Sequence, residues 1–288
     1  RSAMENVRSI FDRRPRTAFV LGGGGNLGSV QVGQLKAMVE RNITPDVVIG
    51  CSVGSLNGAA IACDPSIDTI HRLEMLWNGL TKNDIFPAHG RTRGPWLFIK
   101  QGLSAYGDHG LKDVIGRWLD ITSFEDTKLP FWAVATALRT GLEKWFNAGD
   151  LTSALMASTA LPGFLPPVHI DGEDYVDGGV VNNVPMSKAF ELGAKRVYVL
   201  DVGLLERERP APKRPYEVLM QAVSIARAHR YRADSADVPE GVELIKMPVV
   251  DPGRMKFDDF SRSAELIDRA YRLTKAFLDR PDVAAAIA

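Results

Sequence analysis

The sequence predicts an α/β protein of three layers, α/β/α, with a mainly parallel central sheet and a nucleophile elbow at the end of one strand. Three observations carry this. Short apolar, β-branched runs alternate with helix-like stretches, an order that builds parallel sheets covered by helices. The first run, Thr17–Leu21, opens into the loop Gly22-Gly23-Gly24-Gly25-Asn26-Leu27-Gly28. The second, residues 46–50, opens into Gly50-Cys51-Ser52-Val53-Gly54, a G-x-S-x-G pattern that sets a serine on a sharp strand-to-helix bend. Ligands of such sheets lie beyond the carboxyl ends of the strands, where both loops fall.

In chain order, strand 17–21 is followed by the glycine loop and a helix to about residue 41, with Leu27, Val30, Leu35, Met38 and Val39 near one face. Pro45 ends a turn before strand 46–50, and a helix rich in small residues follows the elbow. Residues 68–79 and 108–119 read as helices. Between them, Phe86-Pro87-Ala88-His89-Gly90 and Gly94-Pro95-Trp96-Leu97-Phe98-Ile99 form either a lid or acyl-contacting wall, or a short helix packed into the core. Residues 131–138 are a buried strand, with 143–147 as its hairpin partner. The prolines of 157–167 exclude regular structure and stiffen a long loop. Asp174-Tyr175-Val176-Asp177 then meets the turn Gly178-Gly179. Helix 186–192, strand Arg196–Leu200, helix 216–231, strand 242–247 and helix 260–278 complete the chain. Helix 216–231 is amphipathic, with Val218, Leu219, Ala222, Val223 and Ala226 on its apolar side; Ala264, Ile267, Tyr271 and Phe277 point inward from the last helix.

The 288 residues suit one large α/β domain or two small ones, and 45% hydrophobic with 24% charged residues is ordinary for a globular chain. Lys+Arg and Asp+Glu balance at 35 each, which speaks against nucleic-acid binding. Two cysteines, Cys51 and Cys63, suggest neither a disulfide framework nor a zinc site; Cys51 reads as a small buried filler. No metal and no cofactor are expected. No apolar run of about 18 residues marks a membrane span. Residues 1–16 carry Arg8, Arg13, Arg14 and Arg16 and are expected as an N-terminal arm, solvated and frayed or resting on anionic lipid.

Ser52 is the candidate nucleophile. Gly50 and Gly54 let chain segments cross closely beside it, and the helix behind it directs free N–H groups and partial positive charge at any anion formed there. The glycine loop has two open readings. Gly23-x-Gly25-x-x-Gly28 matches a dinucleotide fingerprint, with Asp46 near the distance of a ribose partner, although Asp46 starts its strand where the ribose acid belongs at the end. Alternatively, consecutive glycines expose backbone N–H groups as an oxyanion hole. A P-loop is excluded because no Lys-Ser/Thr pair follows Gly28. Asp177 sits where an apolar strand meets a glycine turn, so its carboxylate can be aimed at one point; Asp-Gly-Gly alone is also a common turn.

These blocks, taken in order with Ala157-Ser158 and Pro162 between them, make the chain resemble the patatin-like phospholipases, and most of all their compact bacterial members. The resemblance runs from Thr17 to the last helix. It implies a patatin-like, α/β-hydrolase-related fold over 17–288 as a single domain, and a serine acyl hydrolase with a Ser-Asp dyad and no histidine. Ser52 is then the nucleophile and Asp177 its base. Gly23, Gly24, Gly25 and Gly28 form the oxyanion hole, and Gly50, Gly54, Gly178 and Gly179 support the elbow. Fatty acyl esters of phospholipids, lysophospholipids or neutral lipids are the implied substrates. A cytoplasmic location is expected, with transient peripheral contact at the inner membrane surface. One departure stands out. The family loop commonly carries Arg or Lys before its last glycine, where this chain has Leu27, so acyl-ester hydrolysis is implied more securely than a preference for phospholipid.

Rival readings remain at this point. A Ser-His-Asp triad would draw on His71, His89, His109, His169 or His229, of which His229 follows the acid and falls near the apolar face of its helix; His89 and His109 read as surface residues. Asp201, at a strand end, is the alternative acid. A non-catalytic lipid-binding or regulatory protein and a nucleotide-binding oxidoreductase are the readings from other classes.

Overall fold

The computed structural model describes residues 16–87, 104–202, 211–253 and 255–287. Residues 1–15 of the N-terminal arm, His89 and residues 94–99 lie outside them. The described residues form one eight-stranded sheet. Its parallel part runs Phe131–Ala137 (β3), Val47–Cys51 (β2), Thr17–Leu21 (β1), Arg196–Leu200 (β7) and Glu243–Lys246 (β8). Glu143–Phe146 (β4) and Glu173–Asp177 (β6) both pair antiparallel with β3, and Val168–Ile170 (β5) pairs antiparallel with β6. The second strand is therefore one residue later than its composition suggests. Asp46 stays outside it, its carboxylate accepting from the Arg16 and Thr17 N–H groups at 2.9 and 2.8 Å.

Side chains of a strand alternate between faces, and β1 shows what covers each. Phe19 and Leu21 enter a core with the helices Gly28–Val39 (α1), Val53–Cys63 (α2) and Ile67–Gly79 (α3). Ala18 and Val20 enter a second, smaller core on the other face with Met186 and Ala189 of helix Met186–Glu191 (α7) and Ala228 and Tyr231 of helix Pro215–Ala236 (α8). Both faces of the sheet are thus buried, which is why its central strands read as continuous apolar runs. The remaining α-helices among the described residues are Lys82–Ile85 (α4), His109–Trp118 (α5), Leu151–Thr159 (α6), Ser263–Leu278 (α9) and Pro281–Ile287 (α10).

Two helices depart from their sequence patterns. On α8 the supposed inner side faces out: Val218, Leu219, Ala222 and Ala226 are exposed and Val223 is half-buried. What seats this helix is Ala228 and Tyr231, near its end. On α9, Ile267 is buried as expected, but Ala264 is exposed, and Leu266, Ala270, Thr274 and Leu278 complete the inner side. α1, in contrast, is buried around most of its circumference, Gln31 and Gln34 included.

Those buried amides fix the glycine loop. The Gln31 amide donates to the Gly22 and Leu200 carbonyls at 2.7 and 3.0 Å, tying the ends of β1 and β7 to α1. Asn57 of α2, fully buried, donates to the Gly28 carbonyl and to Gln31 Oε1, both at 2.9 Å, and accepts from Trp77 Nε1 at 3.1 Å. Replacing Asn57 by Leu keeps the number of side-chain heavy atoms and leaves Gln31 Oε1 and Trp77 Nε1 buried without a partner, each costing about 1–3 kcal/mol. Urea unfolding of Asn57→Leu is expected to show a loss of about 2–4 kcal/mol; an unchanged midpoint would mean this network does not hold the loop.

Candidate active site

Ser52 stands between the last residue of β2 and the first of α2, with φ 52° and ψ −129°. That conformation costs a residue with a side chain about 1–3 kcal/mol, so the neighbours must impose it. The Ser52 N–H donates to Ser158 Oγ at 3.0 Å. Its carbonyl accepts from the Ser55 N–H at 2.8 Å and the Ser55 hydroxyl at 2.6 Å. The flanking glycines are needed for space. A Cβ on Gly50 would lie 2.6 Å from the Gly54 carbonyl oxygen, and one on Gly54 would lie 2.2 Å from that of Leu21.

Asp177 reaches Ser52 through strand register. Ala133 and Val134 pair with both β2 and β4, and Ala135 and Thr136 with both β4 and β6. Since a strand has two edges, β2 and β6 share the edge of β3 that faces away from β4. They arrive from opposite directions and end beside adjacent residues, Cys51 at Val134 and Asp177 at Ala135. Ser52 Oγ donates to Asp177 Oδ2 at 2.5 Å, and Asp177 Oδ1 accepts from the Gly179 N–H at 2.7 Å. A Cβ on Gly178 would come 2.3 Å from the Val134 carbonyl oxygen, so the turn also depends on close approach. Asp177 is 2% exposed. Burial pushes its carboxyl above the usual range, against the opposing pull of the Arg227 guanidinium, the Ser52 hydroxyl and the Gly179 N–H. Burial likewise raises the Cys51 thiol well above its ordinary value, which keeps that neighbour protonated and inert.

The glycine loop offers fewer donors than its sequence suggests. The Gly23 N–H is committed to the Asn183 carbonyl at 2.9 Å, and the Gly28 N–H to the Gly25 carbonyl. This corrects the expectation of four donors. Gly24 and Gly25 remain, both lining the cavity beside Ser52. Val53, whose N–H opens α2, lines the same space and adds a third candidate backbone donor that the glycine pattern did not reveal.

The cavity encloses about 220 Å³. Ser52, Asp177 and Asn183 mark its polar end; Leu56, Trp77, Phe86, Leu111, Trp118 and Phe260 are among its apolar walls. Phe86, from the segment read as a lid, an acyl-contacting wall or part of the core, is both a buried core residue and a wall of this cavity. Two lining side chains escaped the sequence reading. Asn183 donates to the Gly23 carbonyl at 3.0 Å, joining the glycine loop to the Asp-Gly-Gly turn. Arg227 donates through Nε to the Gly179 carbonyl and is the one cation among the described lining residues. Its signal was faint, a lone charge in the small and apolar run 222–228. Leu27, where the family loop carries a cation, is buried with Val30, Val202 and Leu266.

The rival acids, bases and nucleotide partner lie elsewhere. His71, His109, His169 and His229 are exposed and line no part of this cavity, so His229 is not on a buried face. Asp201 is buried outside the cavity, with Oδ1 accepting from the Val202 N–H at 2.8 Å. Asp46 is engaged at the amino end of β1, the opposite end of the sheet from the glycine loop.

A family model described as patatin-like phospholipase matches residues 19–190, a span that includes the glycine loop, the elbow and the Asp-Gly-Gly turn. The chain belongs to the patatin-like phospholipase family. Patatin-like phospholipase domain-containing protein 7 of Rattus norvegicus is 32% identical over 192 residues, 65% of this chain and 13% of that protein. Neuropathy target esterase sws of Drosophila melanogaster is 29% identical over 212 residues, 69% of this chain and 14% of that protein. The chain thus spans about one-seventh of the length of these patatin-like relatives. Among solved structures, VipD from Legionella pneumophila superposes with a TM-score of 0.51 at 14% identity, covering 93% of this chain and 67% of that one; it shares the fold. No described helix is long and apolar enough to cross a membrane.

The raised carboxyl of Asp177 has a consequence for stability in this patatin-like site. A buried acid whose pKa rises on folding contributes stability that is present below its unfolded value, ordinarily 3.8, and is lost as pH rises through the folded value. Asp177→Asn is therefore expected to melt higher than the parent at pH 7, with the two curves converging toward pH 4. Differential scanning calorimetry at both pH values checks this; a variant that melts lower at pH 7 contradicts the desolvation account.

Proposed function

We propose that the chain is a serine acyl hydrolase that cleaves fatty acyl esters of lipids through Ser52 and Asp177, by way of a covalent acyl-serine. The observation that carries the reading is the 2.5 Å hydrogen bond from Ser52 Oγ to Asp177 Oδ2 at the polar end of an otherwise apolar cavity. Serine and carboxylate alone are a weak pair, because a free hydroxyl is a poor nucleophile and an ordinary carboxylate a poor base. Burial helps by raising the basicity of Asp177. Asp177 takes the Ser52 proton as Oγ attacks the ester carbonyl, and the N–H groups of Gly24, Gly25 and Val53 receive the oxyanion. The proton passes to the departing alkoxide, and Asp177 then activates water against the acyl-serine. Arg227 holds the Asp-Gly-Gly turn through the Gly179 carbonyl. The apolar walls suit an acyl chain and exclude water from the charges that develop. Phospholipid, lysophospholipid and neutral lipid all present the required ester, and the buried Leu27 offers no cation for a phosphate.

Hydrolysis of p-nitrophenyl esters of increasing chain length is expected in the parent and is expected to fall by at least about a thousandfold in Ser52→Ala and in Asp177→Asn. A fluorophosphonate should label the parent and spare Ser52→Ala. Normal turnover by either variant would overturn the assignment, and a parent that neither turns over nor labels would favour a non-catalytic lipid-binding protein. The base must be ionised, so activity is expected to fall with decreasing pH through a midpoint above 3.8, the ordinary aspartate value. Arg227 pulls the Asp177 carboxyl down, so Arg227→Met should move that acid limb to higher pH; a limb that stays in place would separate Arg227 from the base.

A further inference from the structure

Helix α8 is amphipathic the wrong way round. Met220, Ser224 and Arg227, spaced four and three residues apart, turn toward the cavity and share one side of the helix. The opposite side carries Val218, Leu219, Ala222, Ile225 and Ala226, all exposed; Val218, Leu219 and Ile225 keep 54, 65 and 53% of their surface. A continuous apolar stripe on the outside of a helix marks an interaction surface.

The exposed charged side chains between positions 213 and 232 are of one sign. Lys213 and Arg214 lie exposed just before the helix, and Arg232 lies exposed toward its end. Glu217 is the one acidic residue between positions 213 and 232, and it is not exposed. The pattern disfavours a second copy of this chain. Pairing two such stripes about a two-fold axis would bring Arg232 of one copy toward Lys213 and Arg214 of the other, with no exposed carboxylate in that stretch to offset them. It fits an anionic lipid surface, where apolar side chains enter the headgroup boundary and flanking cations meet the phosphates. On the cavity side of the helix, Met220 and Phe257 both line the cavity and keep 39 and 47% of their surface exposed, so the apolar cavity reaches the protein surface beside α8.

We propose that the amino-terminal half of α8 is the face on which the protein lies against an anionic lipid bilayer, with the apolar cavity directly behind the same helix. This deepens the lipid acyl hydrolase reading and rests on it for the purpose of the contact, though binding itself can be measured without turnover.

The test is co-sedimentation of the full chain with phosphatidylcholine vesicles, with and without phosphatidylserine. The variants are Leu219→Glu/Ile225→Glu, the milder Leu219→Ser/Ile225→Ser, and Lys213→Glu/Arg214→Glu. None of these positions lines the cavity, so each variant is expected to keep the parent rate on soluble p-nitrophenyl butyrate, which also reports that it folds. The parent should partition onto phosphatidylserine vesicles. The apolar variants should lose about tenfold or more of that partitioning, and the charge variant should lose its dependence on phosphatidylserine. Undiminished binding by Leu219→Ser/Ile225→Ser, no binding by the parent, or a parent dimer in sedimentation equilibrium that these substitutions convert to monomer would each overturn the proposal. A parent that binds through the stripe yet hydrolyses no ester would leave the surface assignment standing and defeat the catalytic one.

Discussion

The structure turns on one meeting of strand ends. β2 runs parallel to β3 and β6 runs antiparallel to it, on the same edge, and they stop at adjacent β3 residues. Ser52 and Asp177 are far apart in the chain and neighbours in space because of that register. A one-residue slip in either strand would turn its side chains to the other face of the sheet. The elbow strain at Ser52, the close approaches at Gly50, Gly54 and Gly178, and the Ser158 hydroxyl beneath the Ser52 N–H all hold this junction in place. The Gln31 and Asn57 amides extend the same support to the glycine loop.

Electrostatics and packing work together at that junction. The apolar walls that suit a fatty acyl chain also dry the surroundings of Asp177 and raise its carboxyl. Water exclusion thus makes a weak base stronger, while Arg227 and the Gly179 N–H keep the ionised form accessible. Nothing in the proposed chemistry calls on a third titrating side chain. The fold also places one helix, α8, between the cavity and its own outward apolar stripe, so lipid chemistry and lipid recognition would share a single element.

The sequence was most legible where local pattern and tertiary position coincide. β1 and the elbow strand carry apolar runs ending in glycine turns, β7 an apolar run ending at Asp201, and both faces of these strands are covered, so their boundaries differ from expectation by no more than the one-residue shift of β2. The glycine loop was legible as a place but not in its parts: four glycines look alike in sequence, yet two N–H groups are spent on the Asn183 and Gly25 carbonyls. Asn183 and Arg227 had no spacing signal, since each acts through a backbone carbonyl on another element. The reversed face of α8 marks the limit of periodicity, which shows that a helix has an apolar side and not what that side meets. Short β5, an exposed His169 between two half-buried residues, left no alternation long enough to read.

The most direct measurement is acid-quench mass spectrometry during turnover of p-nitrophenyl butyrate, with the proteolytic peptide that contains residue 52 located and sequenced. The account predicts a butyryl group on Ser52, formed within the burst and lost as substrate runs out. Turnover with Ser52 unmodified throughout, or acylation of a different side chain, would contradict it.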